Sequence, residues 1–259
     1  MNRLQSRVQS HLHAATKRTS GGLSEKSLTL DCPHRLFMPE HYEEKYAYPL
    51  VIWLHSHGSS EYELDGVMPH LSLRNYVGIA VRGTQVSQAN QRRFLWGKSA
   101  TTMAVAEEIV FQAIDAFSDK ISIDHQKIFL AGHGAGGTLA QWIGLRHSQK
   151  FAGIVSVHGA FPRRSKTLVH WKQSRKVPVL FMYGERSELC NTDEVCRSLQ
   201  QVHLAGLRYQ FAQFATGDDL DSSMTGMANR FMMNQIVDRT GSSFVETECN
   251  EQASIHSEE

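Results

Sequence analysis

Apolar positions fall into two kinds of run. Short, almost uninterrupted runs occur at Leu50-Val51-Ile52-Trp53-Leu54, Val77-Gly78-Ile79-Ala80-Val81 and Lys127-Ile128-Phe129-Leu130-Ala131. Two more lie at Ile154-Val155-Ser156-Val157 and Val179-Leu180-Phe181-Met182-Tyr183. Runs of this length predict strands covered on both faces. Between them the spacing becomes helical: Met103, Val105, Ala106, Ile109, Val110, Ala113, Ile114 and Phe117 over 101–118, then Leu139, Trp142, Ile143 and Leu145 over 135–147. Helices are also expected at 193–205 and 224–237, with a strand at 208–214 between them. Segments 28–31 and 35–38 would pair as an antiparallel start. Strands alternating with crossover-length helices predict an α/β fold with a mostly parallel central sheet and helices on both faces.

The polar ends set the domain limits. Residues 1–26 read as a polar leader whose basic residues Arg3, Arg7, Lys17 and Arg18 all precede the first acid, Glu25. Residues 239–259 read as an acidic, disordered tail, and 27–238 as one domain. A chain of 259 residues suits one such domain with a sizeable core. With 27 Lys plus Arg against 26 Asp plus Glu, the chain carries no overall charge bias toward nucleic acid. No apolar run is long enough for a membrane span or a signal-peptide core, so a soluble, cytoplasmic protein is expected. Cys32, Cys190, Cys196 and Cys249 form no CxxC pair and are expected as reduced thiols, although Cys190 and Cys196 could meet across a turn. The cluster Met224, Met227, Met232 and Met233 is expected as core filler. Arg163, Arg164 and Lys166 are expected in a solvated loop.

Chemistry concentrates after the strand at 127–131. Ala131-Gly132-His133-Gly134-Ala135-Gly136-Gly137 has the frame of G-x-S-x-G, the sharp strand-to-helix turn that lifts a serine above a sheet. Its outer glycines are required where two backbones pass closely, and its central residue takes a positive φ. That central residue is Gly134, which carries no nucleophile.

Around this turn the chain resembles the phospholipase/carboxylesterase/thioesterase-like branch of the α/β-hydrolases, over about residues 28–236. The resemblance rests on Tyr48-Pro49-Leu50-Val51-Ile52-Trp53-Leu54-His55, Val81-Arg82-Gly83, Ile128-Phe129-Leu130-Ala131-Gly132 and Phe151-Ala152-Gly153-Ile154-Val155-Ser156, in that order. It implies a nucleophile, an acid and a histidine, in that chain order. Carried over, the acid position is Ser187 in Gly184-Glu185-Arg186-Ser187, and the histidine position is Asp218 in Thr216-Gly217-Asp218-Asp219. Glu185 could replace the acid through a small register shift. The triad is therefore degenerate at Gly134, Ser187 and Asp218. His55-Ser56-His57-Gly58-Ser59 resembles the family's oxyanion loop, which implies the backbone amides of His57 and Ala135 as its donors.

His55, His57 and His133 are expected to converge at this end of the sheet, with Asp218 and Asp219 near them. A pocket of His55, His133, Trp96 and Asp219 follows, in which Arg92, Arg93 and Trp96 contribute either a ligand-facing wall or an exposed patch and a packed anchor. His-x-His with carboxylates is metal-ligand chemistry, but the further ligands at set spacings are missing. Neither a metal nor a cofactor is expected. The ligand implied is a small acyl or carboxylate compound. Two functions are compatible with these residues: a non-catalytic binding or regulatory relative of the carboxylesterases, or an ester hydrolase using substitute or metal-assisted groups. The oligomeric state is left open.

Overall fold

Each apolar run becomes a strand because the sheet gives it two faces to bury. The computed structural model describes residues 32–162 and 174–239. Its strands are β1 (His34–Phe37), β2 (Tyr48–Leu54), β3 (Val77–Val81), β4 (Gln85–Val86), β5 (Phe94–Leu95), β6 (Ile123–His133), β7 (Gly153–Val157), β8 (Val179–Gly184) and β9 (Tyr209–Phe214). Its helices are α1 (Glu63–Leu71), α2 (Ala100–Ser118), α3 (Ala135–Arg146), α4 (Thr192–Leu204) and α5 (Ser222–Arg239). Every residue of β2, β3, β7 and β8 is buried.

Seven strands form one sheet in the order β1-β3-β2-β6-β7-β8-β9. Only β1 runs antiparallel, against β3. Alternate side chains of β2 serve opposite layers. Leu50, Ile52 and Leu54 join the core under α2, α3 and α4, whereas Val51 and Trp53 join the core under α1 and α5. The predicted mostly parallel sheet with helices on both faces is thus observed.

Helix starts follow local chemistry. The Ser99 hydroxyl accepts the Thr102 amide ahead of α2, and the Asn191 side chain accepts the Glu194 amide ahead of α4. Met224 and Met232 are buried in the α5 layer, with Met227 and Met233 packed against it.

Several expectations change. The antiparallel neighbour of β1 is β3, through His34↔Val81 to Phe37↔Gly78, and segment 28–31 lies outside the described residues. Strand β6 begins at Ile123, four residues before its apolar run, because Ile123 pairs with Tyr48 ahead of a register shift in β2. Helix α1 and the short β4–β5 hairpin are additional elements. Cys190 is a buried free thiol and Cys196 an exposed one. The leader, the acidic tail and the loop of Arg163, Arg164 and Lys166 lie outside the described residues. Among the described residues, no helix is long and apolar enough to cross a membrane.

Candidate functional site

The strand order creates a crevice before any side chain is considered. From β2 the chain moves to β3 on one side and later enters β6 on the other, so the connections leaving the ends of β2 and β6 diverge. Ligands of open α/β sheets bind at such a reversal, beyond the strand C-termini. The loop after β2 carries His55, Ser56 and His57. The turn after β6 carries Gly134.

Close packing explains the glycines of that turn. A Cβ on Gly136 would stand 2.1 Å from the Leu54 carbonyl oxygen, and one on Gly132 would stand 2.5 Å from the Gly136 carbonyl. Gly134 differs, since its Cβ would meet only Leu189 Cδ1, at 3.3 Å. What selects glycine there is the backbone, at φ 54° and ψ −117°.

Ser187 and Asp218 are joined to each other. The Ser187 hydroxyl donates to Asp218 Oδ1 at 2.5 Å, the Leu189 amide donates to the same oxygen at 3.1 Å, and the Glu188 amide donates to Oδ2 at 3.3 Å. Burial alone would raise the Asp218 pKa. These donors outweigh it, the Ser187 hydroxyl most, and hold the carboxyl below its ordinary value. Asp218 therefore ties down the turn after β8, and that turn carries Leu189 across Gly134. Glu185 is exposed beside it.

The histidines divide into two groups. His55 is fully buried, its Nδ1–H donates to the Ser56 carbonyl at 2.7 Å, and its Nε2 accepts the Gly83 amide at 2.9 Å. Trp96 is buried against it and donates from Nε1 to the His55 carbonyl at 2.8 Å. Burial lowers the His55 pKa and keeps the ring neutral. With both nitrogens engaged, His55 and Trp96 anchor the loop, while Arg92 and Arg93 are exposed. Trp96→Phe should cost about 1–2 kcal/mol in denaturant unfolding, because it leaves the buried His55 carbonyl without its donor. His57 is exposed, and the amides of His57 and Ala135 donate to no acceptor among the described residues.

His133 faces a different set of groups. Its Nδ1 lies 3.9 Å from Glu63 Oε1, and its ring centre lies 5.4 Å from that of His158. Glu63 also accepts from Trp53 Nε1 at 2.9 Å and from the Ser56 hydroxyl at 2.8 Å, so one carboxylate orders the loop after β2 and approaches His133. His158 is 1% exposed at φ 52°, and its Nδ1 accepts the Gly184 amide at 3.3 Å. Burial first, and then the neighbouring His133, push its pKa down to about 4 against the opposing pull of Asp218 and Asp219. Asp219 itself is exposed. Sequence reasoning missed Glu63 and His158, because neither sits in a spaced motif. His57 and Glu63 both act electrostatically on His55, and Glu63 also approaches His133, whose ring neighbour is His158. Among the described residues, no group of three or more His, Cys, Asp or Glu side chains could hold a metal ion.

The comparisons agree with this architecture. Among curated proteins no sequence matches the chain. Among solved structures, Arabidopsis thaliana SOBER1 is similar at a TM-score of 0.63 and 16% identity, with 73% of this chain and 100% of that chain covered. The Bacillus cereus carboxylesterase is similar at a TM-score of 0.61 and 13% identity, covering 86% of this chain and 99% of its own. Zea mays acyl-protein thioesterase 2 is similar at a TM-score of 0.61 and 12% identity, covering 79% and 99%. At these identities the likeness establishes the fold. The phospholipase/carboxylesterase family model matches residues 43–235, which include the glycine-rich turn, the loop after β2 and the Ser187–Asp218 pair, and the chain belongs to that family.

Proposed function

We propose that this protein is a non-catalytic binding member of the carboxylesterase family, which holds an acyl compound in the crevice without cleaving it. The observation that carries the reading is the hydrogen bond between Ser187 and Asp218, across the positions where the family resemblance implies an acid and a histidine. Serine hydrolysis needs a nucleophile, a base within hydrogen-bond reach of it and a group that orients the base. Gly134 supplies no nucleophile. Asp218 accepts three hydrogen bonds, from Ser187 and from the Leu189 and Glu188 amides, and is a poor base because its pKa is lowered. The open amides of His57 and Ala135 favour a carbonyl oxygen as the bound group, consistent with relatives named as a carboxylesterase and an acyl-protein thioesterase.

A second reading has one observation in its favour. His133 Nδ1 toward Glu63, with Nε2 unpartnered, is an orienter–base arrangement that would activate a water molecule. Purified protein tested on a panel of short acyl esters, with and without divalent metal, separates the two. The proposed function expects no turnover above the buffer blank in either arm. Turnover that disappears in His133→Ala would establish the second reading and overturn the first.

A further inference from the structure

The sheet ends on an open edge at β9. That strand pairs with β8 on one side, and no strand among the described residues pairs with its other side. An unpaired edge is a template for another strand, and proteins protect such edges with charge, proline or brevity. The opposite edge, β1, has four residues and carries Arg35, ion-paired with Asp65 at 2.8 Å. β9 has six, Tyr209-Gln210-Phe211-Ala212-Gln213-Phe214, with no charge and no proline among them. Its Tyr209 and Phe211 are 38% and 37% exposed, whereas every residue of its neighbour β8 is buried.

Hydrogen bonds fix which backbone groups face outward. The Val179 amide donates to the Arg208 carbonyl at 3.0 Å, and the Glu185 amide donates to the Phe214 carbonyl at 2.8 Å. Bonding direction alternates along a strand, so the even-numbered residues of β9 turn toward β8. Tyr209, Phe211 and Gln213 therefore offer their N–H and C=O groups to the open side. Their side chains lie on the α4 face, with Tyr209 beside Phe181 and Phe211 beside Tyr183. A cavity of about 200 Å³ lies there, lined by Val195, Cys196, Leu199, Phe211 and Gln213.

Charge is divided along this edge. Exposed Arg175, Lys176 and Arg208 precede β8 and β9, whereas exposed Glu185, Glu188 and Asp219 follow them, with Arg186 among the acids. A partner strand running antiparallel, with the same division, sets each basic end against an acidic one. A second copy of this chain has that division.

We propose that β9 is a homodimer interface, pairing antiparallel with β9 of a second copy so that the two seven-stranded sheets become one. A two-fold axis at Phe211 lets all the outward groups exchange hydrogen bonds: Tyr209 with the partner's Gln213, Phe211 with the partner's Phe211, and Gln213 with the partner's Tyr209. It also sets the partner's Tyr209 beside Gln213, one of the residues lining the cavity. An axis at Ala212 would set Tyr209 against the partner's Ala215, whose carbonyl already accepts Arg186. An unrelated extended peptide would satisfy the backbone but not the two-ended charge pattern.

The test is sedimentation equilibrium of the full chain, followed by oxidation of cysteine variants with diamide. The wild type is expected as a concentration-dependent dimer. In a chain carrying Cys32→Ser, Cys196→Ser and Cys249→Ser, Phe211→Cys should form a covalent dimer. Opposed hydrogen-bonded residues have Cα atoms about 5.5 Å apart, within reach of a disulfide. Gln213→Cys should give under about a tenth as much, because the two copies of residue 213 are offset by about 13 Å along the strands. Equal cross-linking of the two variants would overturn the proposal, as would a dimer in which neither cross-links. A monomer at every concentration reached would overturn it too. Slow amide exchange at Tyr209, Phe211 and Gln213 of such a monomer would assign the edge to another segment of the same chain. The wild-type sedimentation stands by itself if a variant does not fold.

Discussion

Gly134→Ser is expected to hydrolyse no acyl ester above the blank. The triple variant Gly134→Ser, Ser187→Asp, Asp218→His is expected to hydrolyse one at least about a hundredfold above it. Space does not prevent the first substitution, since a Cβ at 134 meets only the flexible end of Leu189 at 3.3 Å. Placing a side chain at φ 54° costs on the order of 1–3 kcal/mol, which a denaturation curve would register. The single variant fails because nothing takes the proton from the new hydroxyl: Asp218 is occupied by Ser187, Leu189 and Glu188 and held below its ordinary pKa. Reversing all three positions replaces a hydroxyl–carboxylate bond with a carboxylate–imidazole bond, so the two loops stay joined while a base appears. Release of 4-nitrophenol from a butyrate ester by the purified variants is the measurement. A folded but inactive triple variant would show that these positions do not align as a triad.

Acidification should expose the second large effect. His158 is neutral in the folded chain, with its pKa pushed down to about 4 from an ordinary 6.5. The unfolded chain takes up its proton first as pH falls. The stabilisation from keeping the ring neutral is therefore present above about pH 6.5 and lost as pH falls toward 4, by about 3 kcal/mol in all. Burial is the main cause of this shift; His133 adds to it, and Asp218 and Asp219 oppose it. His55 is shifted in the same direction by burial, so the wild type loses more than the His158 share. Urea unfolding at pH 7, 5.5 and 4 should show a smaller loss in His158→Gly, by about that amount. An unchanged pH dependence in the variant would mean that His158 is not held neutral. Asp218 acts in a separate window. Its contribution is present above its ordinary value of 3.8 and is lost below it, as pH falls through its depressed folded value.

Much of the fold was legible because strands buried on both faces must be continuously apolar. Leu50 to Leu54 and Val179 to Tyr183 announce themselves that way, and α2 does so through its periodic inner face. Helix α1 did not, since Gly66 and Pro69 inside it break the usual pattern and its burial depends on α5 closing over it. The start of β6 was hidden because Asp124, His125 and Gln126 interrupt its apolar character. At the site, the turn at Gly134 was readable from glycine spacing, a local property. His158 was not, because its backbone angle, its burial and its nearness to His133 arise only when β7 lies beside β6. His55 resembled a site residue in sequence, but its partner is the Gly83 amide, 28 positions away.

The strand order also bears on how the chain folds. β6 packs against β2, although β3, the β4–β5 hairpin and α2 lie between them in sequence. Asp218 follows β9, which takes its place at the sheet edge only beside a finished β8. Contacts between residues so far apart are formed late, after the large loss of chain entropy needed to close the intervening loops. The Ser187–Asp218 side of the crevice therefore cannot form until β8 and β9 are both in place, and its formation during refolding would report completion of that sheet edge.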